Sequence, residues 1–348
     1  MHLTHLTAMS ISLLAASLHA ASDWATLPDL LTSRSGVGAA VDPFGQIYAI
    51  GGHHKPNCGD SGTTIASVEV FNGTSWTFGP DLNVPRHHGA VVQSAGFIYA
   101  IGGATGSGST AICERLDTLD PSAVWDIEAV PPLPIPLFAP GATVDSAGRV
   151  WVVGGQHGAS ESAACFVFDP ARAELGWVEG PPLTHARHSL GFVCASDGFL
   201  YAIGGTSYGA HRTVVERIDP IHSPDQWEQL QDIPYAPSEQ GYAVAGADGR
   251  IYLPGGWLPG CTDRTLRFDP RDGNWDVMSA RLSLARSNIA VAIDEQGRII
   301  CIGGDCCESY SRVEALDTQP CPADFNADGA VNTLDFIAFL NTWAAGCP

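Results

Sequence analysis

The stretch Ile98-Tyr99-Ala100-Ile101-Gly102-Gly103 decides the fold, because versions of it occur six times along the chain. The copies occupy residues 47–52, 98–103, 150–155, 200–205, 251–256 and 299–304. Their first glycines stand at positions 51, 102, 154, 204, 255 and 303, so the period is 48 to 52 residues. A period of this length, kept through six copies, indicates an array of similar structural units.

Each unit predicts a small antiparallel sheet. The apolar run before Gly-Gly is too short for a helix and rich in β-branched and aromatic residues, so it predicts a buried strand. Another apolar segment precedes it, and turn residues such as Asp197-Gly198 connect the two as in a hairpin. A variable loop and a third strand, such as residues 215–219, follow the glycines. A tryptophan then opens the predicted fourth strand, at Trp76, Trp125, Trp177, Trp227 and Trp275.

Four antiparallel strands per 50 residues are typical of a β-propeller blade. The glycine doublet, the aromatic residue before it and the trailing tryptophan resemble Kelch repeats over residues 23–318. The resemblance implies an all-β, six-bladed propeller, in which blades one to six follow the order of the units. The sixth unit has no tryptophan after its third strand, whereas Trp24 precedes the first unit. We therefore predict that the N-terminal segment supplies the outer strand of blade six and closes the ring, which removes a free sheet edge.

The ends of the chain and its charge bear on location and partners. Residues 8–20 form an apolar stretch followed by small residues, which predicts a signal peptide over residues 1–22 and a secreted, cell-surface or periplasmic protein. The alternative is a buried N-terminal helix. No later apolar run is long enough to predict a transmembrane span. The net charge of −20 and the lack of a Lys/Arg run argue against nucleic-acid binding.

Ten cysteines suit an exported protein, in which thiols can oxidise. Four of them replace small apolar residues of the other repeats, and we expect them to be buried thiols: Cys113, Cys165, Cys194 and Cys301. Four others lie in the loops after Gly-Gly of blades one, five and six, which are neighbours in a closed ring: Cys58, Cys261, Cys306 and Cys307. We expect at least one disulfide among these loops. The pairing stays open, and metal binding or free thiols are the alternatives.

Residues 324–335 fit the twelve-residue calcium loop, which carries oxygen donors at fixed positions and glycine at the sixth. The predicted Ca²⁺ ligands are the side chains of Asp324, Asn326, Asp328, Asn332 and Asp335 and the carbonyl of Ala330. The segment resembles one half of a type I dockerin, which implies that residues 319–348 anchor the protein to a surface or a cohesin-like partner. A dockerin carries two loops, and this chain has one. Cys321 and Cys347 flank the loop as a candidate disulfide. A polar turn before a helix is the alternative reading.

The loops after Gly-Gly and the connections into each first strand share one side of a propeller, which we call the long-loop face. Long loops on a rigid scaffold are where binding sites usually lie. Arg34, Arg187 and Arg286 each precede the first glycine of their unit by 17 residues, and Glu239 lies near that position in blade five. We expect a partly basic rim that suits an acidic or hydroxylated ligand; a structural role for the arginines is the alternative. Other ligand-binding candidates are Arg86, His53, His54, His157, His188, Tyr208, His211 and Trp257.

Two functions follow from the resemblance. Kelch propellers are mostly interaction platforms, which implies a binding module for a protein or carbohydrate ligand. The alternative is a carbohydrate-active enzyme similar to sialic-acid mutarotases (epimerases), with Glu239, Arg34, Arg187 and Arg286 as catalytic candidates at the channel mouth. Copper radical oxidases that resemble galactose oxidase need a tyrosine–cysteine cross-link, a second tyrosine and two histidines; we find no such set and expect no copper. We expect no nucleotide either, because the glycine-rich residues 102–108 open no helix.

Overall fold

The computed structural model describes residues 23–234, 242–257, 260–318 and 333–337. The chain divides into two compact units, one of which spans Asp23–Pro320. In the other unit, residues 333–337 are helical. The predicted signal peptide lies outside the described residues, as does every proposed calcium ligand except Asp335. Cys321, Cys347 and Glu239 also lie outside them.

Six antiparallel sheets form the blades of a propeller. The innermost strands of neighbouring blades contact one another around a central channel and span Gly38–Val41, Ala90–Ser94, Gly141–Val144, Gly191–Cys194, Val244–Ala245 and Ala290–Ile293. The second strands are Ile47–Ile50, Phe97–Ile101, Val150–Val153, Leu200–Ile203, Ile251–Pro254 and Arg298–Ile302. The third strands are Val68–Phe71, Cys113–Asp117, Cys165–Phe168, Val215–Asp219, Thr265–Asp269 and Val313–Asp317. The predicted six-bladed all-β propeller is thus confirmed.

The outer strands are less regular than the repeat predicts. They span Trp76–Phe78, Trp177–Glu179, Ser223–Gln229 and Asn274–Val277, with Ala25–Thr26 in blade six. The prediction of a fourth strand at Trp125 is wrong, because blade two has a three-stranded sheet. There Arg115 and Asp126 exchange two backbone hydrogen bonds, of 3.0 and 2.8 Å. The Asp126 carboxylate then accepts the N–H groups of Glu128 and Ala129, which turns the chain away after a single bridge.

The N-terminal strand closes the ring as predicted. Ala25 and Thr26 pair with Ala315 and Glu314 at the outer edge of blade six. Trp24 is buried, and its Nε1 donates to Oγ1 of Thr265 in blade five. The first and last parts of the repeat array are therefore held in one sheet.

The glycine doublets are required by contacts between blades. Gly303 has a φ of 62°, and a Cβ atom there would lie 2.5 Å from the carbonyl oxygen of Arg34 in blade one. Its neighbour Gly304 donates its N–H to the same oxygen at 2.9 Å. A side chain at the first glycine would thus force blades six and one apart, in a region of φ that L-residues rarely adopt.

The tight turns between first and second strands are built on aspartates. Asp145 accepts the N–H groups of Ala147 and Arg149 with one carboxylate oxygen, and Trp151 Nε1 donates to the other at 2.8 Å. Blades one, four and five use the same arrangement with a tyrosine hydroxyl as the donor, from Tyr48, Tyr201 and Tyr252. The aromatic residue of the repeat therefore fixes the hairpin below it, in addition to filling the core.

The core consists of apolar clusters between neighbouring blades. One cluster joins Ile47 and Phe71 of blade one to Ile300 and Ala315 of blade six. Burying such apolar surface against the next blade is what stabilises a propeller, because a single blade has no core of its own. Among the described residues, no helix has the length and apolar character that crossing a bilayer requires.

Candidate functional site

A ring of backbone hydrogen bonds surrounds the mouth of the channel on the long-loop face. In each described blade, the residue two positions after the arginine site has a left-handed backbone, with φ between 48° and 54°: Gly36, His88, Ala139, Ser189 and Asn288. The N–H groups of Gly36, His88, Ala139 and Ser189 each bond the carbonyl of their counterpart in the preceding blade, for example His88 to Gly36 at 2.7 Å and Gly36 to Asn288 at 2.8 Å. Left-handed non-glycine residues cost roughly 1–3 kcal/mol each and are over-represented at functional sites.

This ring borders a cavity of about 100 Å³. Its polar lining residues are His88, Ser189, Tyr242 and Asn288, and small residues such as Gly38 and Gly141 line the rest. The volume corresponds to about three water molecules at their liquid share of ~30 Å³ each. A ligand larger than this would therefore rest on the mouth and insert only one group into the channel.

Four side chains form a connected polar network at the mouth. Nδ1 of His87 lies 2.7 Å from Nδ1 of His88, and Nε2 of His88 lies 3.1 Å from Oδ1 of Asn288. The Asn288 amide donates to Asp305 Oδ1 at 3.0 Å. Two blades contribute to the network, because His87 and His88 precede the first strand of blade two, whereas Asn288 precedes the first strand of blade six and Asp305 lies in the loop of that blade. The ring closure that brings blade six beside blade one also brings Asn288 to within reach of His88.

Three histidines at the mouth, His87, His88 and His188, are neutral at physiological pH. Burial, together with the neighbouring His88 and His53, lowers the pKa of His87 to about 4. Burial likewise lowers the pKa of His88, although Asn288 and Asp305 oppose the change, and it lowers the pKa of His188. The mouth therefore presents imidazole rings without positive charge.

Phe138 provides an aromatic surface among these rings. Its centroid lies 5.0 Å from that of His88 and 6.1 Å from those of His87 and His188. Phe138 belongs to blade three, so it extends the site from the histidines of blade two toward blade four. An apolar ring beside neutral hydrogen-bonding groups is a combination that binds uncharged polar ligands.

The arginines lie elsewhere than the rim expected from the sequence. Arg34, Arg187 and Arg286 are 0% exposed and Arg86 is 3% exposed. Each forms an ion pair with a fully buried glutamate on the third strand of its own blade: Arg34 with Glu69, Arg86 with Glu114, Arg187 with Glu216 and Arg286 with Glu314. The guanidinium groups also donate to strand carbonyls, such as Arg34 to Gly51 and Ser67. The four guanidinium groups are enclosed within the blades, so the expected basic rim does not form from these side chains.

The other predicted ligand-binding residues scatter over the long-loop face. His53 joins the network, with its ring 5.3 Å from that of His87. His54 donates from Nδ1 to the carbonyl of Ser33, and His157 contacts the carbonyl of Pro136 in the same way. Tyr208 is 76% exposed at a hairpin tip, and its N–H donates to the Glu161 carboxylate of blade three at 2.7 Å. His211 is exposed and Trp257 is half-buried.

Sequence reasoning missed Asn288 and Ser189. Both stand at the position that is Gly36 in blade one and His88 in blade two, so aligning the repeats marks all of them as one ring. The alignment does not show that the backbone at this position is left-handed, nor that the position faces the channel. Only the structure shows both.

Two disulfides brace the loops at the ring closure. Cys58 of blade one pairs with Cys307 of blade six, with Cα atoms 5.1 Å apart. Cys261 of blade five pairs with Cys306 of blade six, with Cα atoms 5.7 Å apart. The sequence expectation of a bridge among these loops is confirmed, and the structure supplies the pairing. Of the free cysteines, Cys113, Cys165 and Cys301 are buried and Cys194 is half-buried. Burial raises the pKa of the Cys113 and Cys165 thiols to about 12.

The described part of the chain contains no group of three or more histidine, cysteine or acidic side chains arranged to hold a metal ion. Of the proposed calcium ligands, only Asp335 can be placed. It lies in the helical segment 333–337 and is 2% exposed.

Comparison with known proteins finds Kelch-repeat relatives. An F-box/kelch-repeat protein of Arabidopsis thaliana is 27% identical over 144 residues, which are 40% of this chain and 32% of that protein. Beta-scruin of Limulus polyphemus is 27% identical over 194 residues, 52% of this chain and 20% of its own length. Galactose oxidase of Gibberella zeae is 25% identical over 287 residues, 71% of this chain and 39% of the enzyme.

The chain thus spans between 20% and 39% of the length of these three relatives. No family model matches the chain. The Kelch-repeat relatives and the six-bladed architecture together support a Kelch propeller.

Proposed function

We propose that this Kelch-type propeller is an exported binding module, whose ligand occupies the channel mouth on the long-loop face. Kelch-repeat proteins act as protein-interaction modules. The observation that carries the proposal is the network of the neutral His87, His88 and Asn288 side chains, anchored on the Asp305 carboxylate and lying beside Phe138. It offers hydrogen-bonding groups and an aromatic face, which is the chemistry of recognition rather than of strong charge pairing.

The loops of the long-loop face support this role because two disulfides connect three of them. The two disulfides connect the loops of blades five, six and one, on the side of the ring where Asp305 lies. Rigid loops lose less conformational entropy when a ligand binds, so a braced mouth gains affinity.

We further propose that residues 319–348 tether the module through a single calcium loop, and that residues 1–22 direct export. The twelve-residue spacing from Asp324 to Asp335 supports the calcium loop, and the buried, helical position of Asp335 agrees with it. The four cysteines that pair in the loops agree with an oxidising compartment.

The mutarotase-like alternative has less support. Three of its four catalytic candidates, Arg34, Arg187 and Arg286, are buried with glutamate partners, and Glu239 lies outside the described residues. The likeness to galactose oxidase is distant, and that enzyme is more than twice as long as the matched region.

Titration of the full chain with a panel of neutral and acidic sugars, followed by calorimetry, tests the binding role. A matched variant, His87→Ala, removes a mouth residue, and His211→Ala changes an exposed histidine on the same face. Binding lost with the first variant and kept with the second supports the site. Turnover of a sugar anomer at equal rates in both variants would favour an enzyme with its site elsewhere.

A further inference from the structure

We propose that Asp305, Asn288, His88 and His87 form a hydrogen-bond relay of fixed direction, which presents the unprotonated Nε2 of His87 as the acceptor for a hydroxyl or N–H group of an uncharged ligand. The proposal rests on the proposed function, because it names the atom of that site which contacts the ligand. His87 would bind the ligand, and the other three would be positioning residues.

Asp305 determines which atom donates in every hydrogen bond of the relay. A carboxylate can only accept hydrogen bonds, so the Asn288 atom that lies 3.0 Å from Asp305 Oδ1 must be the amide nitrogen. Ser287 Oγ also lies within 3.4 Å of this oxygen and can donate to it. With its nitrogen held by Asp305, Asn288 must turn its carbonyl oxygen toward His88.

The next step fixes the proton on His88. Oδ1 of Asn288 only accepts, and Nε2 of His88 lies 3.1 Å from it, so this nitrogen carries the proton. A neutral imidazole has a single N–H, and burial keeps this ring neutral by lowering its pKa. Nδ1 of His88 is therefore an acceptor.

The last step fixes the proton on His87. Its Nδ1 lies 2.7 Å from Nδ1 of His88, and two lone pairs at that distance would repel. His87 must therefore donate from Nδ1, which leaves the lone pair on its own Nε2. This nitrogen has no partner within the part of the chain that the structure describes.

The surroundings of His87 select the ligand. The ring is neutral at physiological pH, and its nearest ring neighbours are His53 at 5.3 Å, His88 at 5.0 Å and Phe138 at 6.1 Å. A lone pair repels a carboxylate and attracts a donor hydrogen. The mouth thus suits a neutral hydroxylated molecule, such as a hexose, and disfavours an acidic sugar.

Long-range ¹H–¹⁵N correlation spectra of the ¹⁵N-labelled full chain, without ligand, report which ring nitrogen carries each proton. We expect His87 to be protonated at Nδ1 and His88 at Nε2. A spectrum in which His87 is protonated at Nε2 overturns the relay, whatever the protein binds.

Two variants separate the relay from a general effect on the ring of blades. Asn288→Leu removes the acceptor of His88, so the proton of His87 should redistribute and its Nε2 signal should move upfield toward the protonated position. Ser189→Ala changes the same ring position in blade four, where Ser189 Oγ contacts Nδ1 of His188 at 3.0 Å. It should leave the His87 signals in place. Equal shifts in both variants would overturn the relay.

Galactose and N-acetylneuraminic acid serve as the neutral and the acidic probe. We expect galactose to shift the His87 Nε2 resonance, and His87→Phe to weaken its binding by about tenfold, the loss of one hydrogen bond. If galactose binds without shifting this resonance, the ligand role of His87 is overturned while the proposed function stands. Tighter binding of the acidic probe would overturn the preference for an uncharged ligand.

Discussion

Arg86 and Glu114 form a buried ion pair in which Nη2 of the arginine lies 2.6 Å from Oε1 of the carboxylate, although the residues are 28 positions apart. Glu114 also accepts the backbone N–H groups of Asn83 and Val84. The pair therefore ties the connection between blades to the third strand. In blades one, four and six the glutamate accepts a backbone N–H from the residue that corresponds to Asn83: Leu31, Thr184 and Ser283.

Blade three replaces the whole arrangement. Leu137 stands in place of the arginine and Phe166 in place of the glutamate, and both belong to one apolar cluster. Pro134 stands where Asn83 does, so the N–H that the glutamate would accept is absent too. In blade five, likewise, Leu266 stands in place of the glutamate and Pro234 stands at the position of Asn83.

We predict that Arg86→Leu alone destabilises the propeller by about 3–5 kcal/mol, because it leaves the Glu114 charge buried without its counter-ion. The triple change Arg86→Leu, Glu114→Phe and Asn83→Pro copies blade three and should recover most of this loss. Urea unfolding measures both. Arg271→Leu removes a 59% exposed side chain from its ion pair with Asp269, which keeps Arg250 as a partner, and should cost at most about 1 kcal/mol. A triple variant as unstable as the single one would contradict the comparison with blade three.

Removal of the closing strand should destabilise the whole ring. Deleting residues 23–30 removes the strand that pairs with Ala315 and the buried side chains of Trp24 and Leu30. Trp24→Ala alone should cost about 3–5 kcal/mol. Phe78→Ala, at the 63% exposed end of another outer strand, is the control and should change the Tm little. An unchanged Tm after the deletion would rule out this mode of closure.

The two disulfides should contribute unequally. Cys58 and Cys307 enclose 249 positions of chain, and Cys261 and Cys306 enclose 45. Because closing the longer loop restricts the unfolded chain more, replacing the first pair by serines should cost about 1.5 kcal/mol more than replacing the second. Chemical unfolding of the two double-serine variants gives the difference. The reverse order would show that native contacts of the loops outweigh chain entropy.

Acid should weaken the fold through the mouth histidines. Their folded pKa values lie below the unfolded value of ~6.5, and that of His87 is about 4. Below pH ~6.5 these histidines take up protons in the unfolded chain but stay neutral in the folded mouth, so stability falls as the pH drops. The part that is due to His87 levels off below about pH 4. His87→Gln should flatten this part of the Tm–pH curve, and His211→Gln should not. Parallel curves for all three proteins would contradict the assignment.

Calcium should bind outside the propeller. Asp324→Ala with Asp328→Ala removes two of the proposed ligands, so calcium bound to the full chain should fall by about one ion per chain. The Tm of the propeller should stay the same, because these residues lie beyond its last strand. Metal analysis after dialysis and a thermal scan give the two readouts. An unchanged calcium content would remove the basis for the tethering proposal.

The sequence by itself determined the six blades, the short strands and the closure at Trp24. These depend on local patterns: an apolar run, a turn, a glycine doublet that admits the carbonyl of the next blade, and one tryptophan out of place. The sequence also contains a second pattern, in which the buried glutamate occurs with a residue that has a backbone N–H at the position of Asn83. In blades three and five, which lack the glutamate, this position is Pro134 or Pro234.

Only the tertiary structure decided which side chains meet at the mouth. Arg34 and Glu69 are 35 positions apart and His88 and Asn288 are 200 positions apart. Whether a polar residue faces a buried partner or the channel depends on the backbone direction at that point, and the left-handed turn at His88 and Asn288 leaves no sign in the residue types. The arginines that suggested a ligand rim are therefore buried in the blades, and the channel mouth is formed by neutral histidines and an amide.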